Sequence, residues 1–183
     1  MSILKVARMG NPVLRRVADP IPPEHISTPT VQRLIQDMLD TVLEYDGVGL
    51  AAPQVHESVR LVLLCLDPEE GFEAWINPVL TPTTSDELIT TEGCLSVPGL
   101  RGDVSRPCGV KVEAYDHQGQ FFERHLEGFS AVVAQHECDH LDGVLYVDKV
   151  DTRTLSFLEE FRRYAAVQDD QDDQDELEEG LEE

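Results

Sequence analysis

The chain has 183 residues, of which 41% are apolar and 27% charged, which suits one domain with a buried core. Its 14 Lys and Arg stand against 36 Asp and Glu, for a formal charge of -22. That balance argues against a stable nucleic-acid or anionic-membrane partner, since both need a basic face. Ten of the acids and no base lie in residues 168–183, leaving 26 acids against 14 bases, or -12, for residues 1–167. The chain therefore reads as a folded domain over 1–167 and an acidic, disordered tail over 168–183.

The longest apolar run, Leu61–Leu66, is far too short to cross a membrane. The opening MSILKVARMGNPVLRR carries no apolar block with a cleavage site, so a cytoplasmic location is expected. Cys65, Cys94, Cys108 and Cys138 show no CxxC spacing and read as free thiols or metal ligands.

In chain order, residues 1–27 hold Pro12, Pro20, Pro22 and Pro23 and predict an extended arm with about one helical turn. Thr28 can cap a helix that begins at Pro29, with Val31, Leu34, Ile35, Met38, Leu39 and Val42 at helical spacing. Asp46-Gly47 ends that helix near Tyr45, and GVGLAAPQ (47–54) reads as a loop. Val59–Leu66, Phe72–Asn77, Leu88–Thr91, Val110–Tyr115 and Gln120–Leu126 read as strands, with a hairpin at Asp116–Gly119. Gly128 precedes a helix, FSAVVAQHECDHL, taken as buried because Phe129, Val132 and Val133 open it. Tyr146–Val150 is expected to be extended and Thr152–Ala166 to form a last helix. Strands that pair with sequence neighbours predict an α+β fold: mostly antiparallel sheets around a central metal-binding helix, with a C-terminal helix.

The strongest local signal is His136-Glu137-Cys138-Asp139-His140. Imidazoles at i and i+4 lie one turn apart on one helix face and can reach one metal ion. Glu137, next to the first ligand, suits proton transfer to and from a water. Three sources of a third ligand are open on spacing alone. A metzincin extension matches at Gly143 but meets Tyr146 where it needs His. A later helix offers Glu159 or Glu160, and an upstream segment offers Cys94 in EGCLS (92–96). Cys138, at i+2, faces away and reads as a core side chain.

Together, GVGLAAPQ, EGCLS and QHECDH, in that order, resemble the three motifs of the peptide deformylases, and the resemblance covers residues 1–166. It implies a hydrolase that removes the N-formyl group from the initiator methionine of new proteins. It also implies Cys94, His136 and His140 as ligands of one divalent ion per chain, Fe(2+) in the cell, with Zn, Ni or Co as substitutes in purified protein. Glu137 is then the general acid/base for a metal-bound hydroxide. The Gln54 amide and the Leu95 backbone N–H would stabilise the oxyanion. Gly49 would line the peptide cleft, and Phe129, Val132 and Val133 the methionine pocket. Glu92 is given to substrate binding or loop structure. The implied partners are N-formyl-methionyl peptides and nascent chains, with transient ribosome contact. The acidic tail argues against docking on RNA through the C-terminal end. Arg101 and Arg106 are expected to pair with surface acid such as Asp103, or else to meet a substrate carboxylate. Two other readings are a zinc endopeptidase that uses a late Glu, and a protein in which the metal only staples the fold.

Overall fold

A computed structural model describes residues 2–164. The acidic segment 168–183 and the end of the expected last helix lie outside the described residues. The order is a long N-terminal arm, helix α1 (Pro29–Glu44), strand β1 (Gly49–Ala51), then β2 (Leu61–Asp67) and β3 (Gly71–Pro82). There follow β4 (Glu87–Cys94), β5 (Val97–Pro107), β6 (Gly109–Tyr115), β7 (Phe121–Glu127), helix α2 (Gly128–Leu141) and β8 (Ser156–Phe157). Five strands form one sheet in the order β1-β2-β3-β6-β7, and β4-β5-β8 form a second. Every paired strand is antiparallel. The α+β expectation holds.

Several boundaries differ from the expected ones. GVGLAAPQ is not a loop: its middle is β1, and Ala52–Val55 form a 3-10 turn. The arm has two such turns, Pro12–Arg15 and Pro23–His25. Tyr146–Asp148 is a 3-10 turn rather than extended. The last helix begins at 158, because 156–157 are used as β8 on the edge of β5. Thr28 stands at the α1 N-cap, but its hydroxyl donates to His25 O (2.6 Å) instead of capping.

β2 reads as an unbroken apolar run because both its faces are covered. Val62 and Leu64 pack with Trp75 and α2 residues Ala131 and Val133, while Leu61 and Leu63 pack with Met38, Val42 and Ile76 on the α1 side. A third cluster, with Leu14, Val97, Val104 and Tyr146, joins the arm to the second sheet. α2 thus lies between the two sheets, and most of its residues are buried.

Two residues past the end of α2 stands Gly143, whose φ is +73°. A Cβ there would fall 2.8 Å from the Arg15 backbone carbon, so the arm is seated against this glycine. Gly143→Ala is expected to cost about 2 kcal/mol or more and lower Tm by about 5 °C. An unchanged melting temperature would show that the arm does not depend on this contact.

Candidate active site

α2 carries His136, Glu137 and His140 on buried turns, and β4 delivers Cys94 at its last residue. The β4–β5 register shifts between Glu92 and Cys94, and this irregularity re-aims the strand end toward α2. Cys94 Sγ lies 3.3 Å from His140 Nε2, and the His136 and His140 rings are 5.2 Å apart. One donor atom from each of Cys94, His136 and His140 lies within 4.8 Å of the others. Metal–ligand bonds of about 2.0–2.3 Å place tetrahedral ligands about 3.5 Å apart, so a small contraction fits one ion to this thiolate–imidazole set. Among the described residues no other such group of His, Cys, Asp and Glu forms. Glu159 and Glu160 are exposed, Glu160 pairs with Arg163 (3.1 Å), and neither joins this group. Cys138 is buried in the core, where burial pushes its thiol pKa far up.

His136 is held from behind. Its Nδ1 lies 2.7 Å from Glu92 Oε2, which leaves Nε2 for the cluster. Arg106 grips Glu92 with two bonds, Nε to Oε1 (2.5 Å) and Nη2 to Oε2 (2.9 Å). Arg106 Nη1 also donates to Asp139 Oδ2 (2.8 Å), and Lys149 Nζ reaches the same carboxylate (2.7 Å). Both oxygens of the Glu92 carboxylate are thus engaged by Arg106 and His136, the structural one of its two expected roles being the one this geometry favours. Arg106, only 2% exposed, is not the surface residue expected. Neither Arg101 nor Arg106 pairs with Asp103, whose carboxylate instead accepts the Thr91 hydroxyl (2.6 Å).

The electrostatics separate the two imidazoles. Burial opposes charge on His136, but hydrogen bonds to Cys94 and Glu92 outweigh it and raise the pKa to about 10. Burial, then the neighbouring His136 and Arg106, drive His140 well below its usual value, so its lone pair is free for an ion. Glu137 is 5% exposed, and burial first, then Glu92, raises it to about 7 against the pull of His136. Its Oε2 is buried without a hydrogen-bond partner among the described residues. Gly49 leaves it that space, since a Cβ at position 49 would lie 2.5 Å from Glu137 Oε1.

Gln54 is 1% exposed and locked: Oε1 accepts from Ala51 N–H (2.8 Å). Its Nε2 is thereby turned toward Ser96 Oγ (3.2 Å) and Cys94 Sγ (3.5 Å). Leu95 stands in the two-residue turn between β4 and β5. A cavity of about 1080 Å³ opens over these groups, lined also by Gly49, Leu95, Phe129, Val132 and Val133. Val132 and Val133 are buried as expected, whereas Phe129 is 63% exposed at the cavity edge. Asp139 and Lys149 were invisible as site residues, because only the α2 turn and the strand register bring them to Arg106.

The polypeptide deformylase family profile matches residues 3–155. "Peptide deformylase 1" of Prochlorococcus marinus (strain MIT 9313) is 44% identical over 167 residues, 86% of each chain. The peptide deformylase of Leptospira biflexa serovar Patoc is 38% identical over 164 residues, 85% of this chain and 92% of that one. The crystal structure of the class I type b enzyme from Acinetobacter baumannii with Met-Ala-Ser bound superposes with a TM-score of 0.77 at 36% identity, covering 82% of this chain and all of the other. On fold, motifs and relatives alike, the chain belongs to the polypeptide deformylase family and is a peptide deformylase.

Proposed function

We propose that this enzyme removes the formyl group from the N-terminal methionine of newly made proteins with one divalent ion held by Cys94, His136 and His140. The observation that carries this reading is the convergence of these three ligand atoms beside Glu137, whose buried Oε2 has no hydrogen-bond partner among the described residues. An ion in that set supplies Lewis-acid activation of water and carbonyl. Glu137 takes the proton of the attacking water and returns one to the departing amine nitrogen, and a pKa near 7 suits both transfers. Gln54 Nε2 and the Leu95 N–H donate to the carbonyl oxygen as charge develops on it. Gly49 keeps Glu137 close to the substrate backbone, and Val132, Val133 and Phe129 receive the methionine side chain. The Met-Ala-Ser complex of the Acinetobacter relative supports a methionyl peptide as occupant of the cavity.

One thiolate and two imidazoles accept Fe(2+), Zn, Ni or Co alike, and the reading of Fe(2+) in the cell follows the family resemblance rather than the ligand types. No helix among the described residues is long and apolar enough to cross a membrane. We place the enzyme in the cytoplasm, meeting nascent chains in transient contact with the ribosome.

Anaerobically purified protein is expected to contain one metal per chain and to release formate from formyl-Met-Ala-Ser. Cys94→Ala is expected to lose both metal and turnover. Metal and activity retained without Cys94 would sink the ligand set, and no formate from metal-loaded wild type would sink the reaction.

A further inference from the structure

In a strongly acidic chain, the cavity edge is basic. Lys5, Arg8, Arg101 and Arg162 all line it. None of the four forms an ion pair or side-chain hydrogen bond among the described residues. By contrast Arg15, Arg60, Arg106, Arg124, Arg153 and Arg163 are each paired with a carboxylate, and away from the cavity only Arg16 and Arg33 share the unpaired state among the described residues. The cavity's own acids do not cancel this edge. Glu92 is held by Arg106, Glu137 is buried against Gly49, and only Asp46 remains.

The edge is assembled from distant parts of the chain, each tied to the site by backbone bonds. Ala7 N donates to Gln54 O and Met9 N to Ser96 O (both 2.7 Å), which fixes the arm carrying Lys5 and Arg8. Arg101 sits on β5, its Cγ and Cζ each 3.4 Å from where a Gly93 Cβ would stand, so it lies across the backbone next to Cys94. Arg101 pairs with Ser156 of β8, and that strand leads directly into the 158–164 helix with Arg162.

We infer that this edge makes the enzyme favour formylated chains with acidic side chains in the first few positions after methionine. The inference rests on the proposed deformylase reading. The acidic bulk of the molecule repels such chains only at long range, where a Debye length of about 8 Å at physiological salt weakens it. The four edge cations act at contact, where screening is least.

The test compares kcat/KM for C-terminally amidated formyl-Met-Ala-Asp-Asp, formyl-Met-Ala-Ser-Ser and formyl-Met-Ala-Lys-Lys on the full, metal-loaded chain. The acidic peptide is expected to exceed the lysine peptide about tenfold at about 50 mM salt, falling to about threefold or less at about 0.5 M. Arg8→Glu combined with Arg162→Glu is expected to reverse that order. Equal kcat/KM for all three peptides, or an acidic preference that survives the double substitution, overturns the inference. No formate even from the serine peptide would instead overturn the deformylase reading on which it stands.

Discussion

Replacing Glu137 by Gln is expected to cut kcat for formyl-Met-Ala-Ser about a thousandfold while metal content and melting temperature hold. The substitution keeps the side-chain volume in a pocket where Gly49 allows no more, so the fold has no reason to change. It also removes a carboxylate that burial raises to about 7, so a buried charge disappears with it. What is lost is the group that can both take and return a proton. KM should stay nearly constant, because the amide still fills the same space. A variant that retained even a tenth of wild-type kcat would move the acid/base role elsewhere.

The second large effect is expected at Arg106, which is buried and does not line the cavity. Arg106→Met should destabilise the protein by about 3–5 kcal/mol, because it strands Glu92 as a buried carboxylate deprived of its double hydrogen bond. The pH dependence carries the signature. In the wild type, burial works to raise Glu92, but Arg106 and His136 outweigh it and hold the pKa below the usual carboxylate range. A depressed carboxylate contributes stability that is present above about pH 4.5 and lost as pH falls through the folded value. Without Arg106, burial opposes the charge with only His136 against it, and the variant should gain on the wild type as acid neutralises Glu92. With His136 less firmly oriented, metal affinity should fall about 10- to 100-fold. Melting curves of the metal-free proteins from pH 7 to pH 4, with a metal titration, check both. A gap between wild type and variant that does not narrow toward acid would refute the account.

How legible this site was depends on the range of the contacts that build it. The His136–His140 pair and Glu137 were readable because helical spacing is local, and Cys94 because EGCLS accompanies it. The Arg106–Glu92–Asp139 link was not readable, because its members lie on β5, β4 and α2 and meet only through strand register. β5 carries no strand signal of its own: VPGLRGDVSRP holds two prolines and two glycines and lacks a regular apolar alternation. It is a strand because β4 and β8 pair on its two sides. β1 was hidden for another reason, since three residues give too little alternation to distinguish a strand from a loop. β2 was plain, because a strand covered on both faces is apolar throughout.

The seating of the arm on Gln54 and Ser96, together with the approach of β8 to β5, brings segments from opposite parts of the chain to one doorway. Anything fused ahead of the arm therefore stands only a few residues from the cavity edge at Lys5. An N-terminal purification tag begins only a few residues before Lys5, and a histidine-rich one would carry spare imidazoles to the mouth of a metal site. The choice of tag, and its removal, becomes a variable of the assay itself. Kinetics and metal stoichiometry measured with and without it compare two different entrances to the same enzyme.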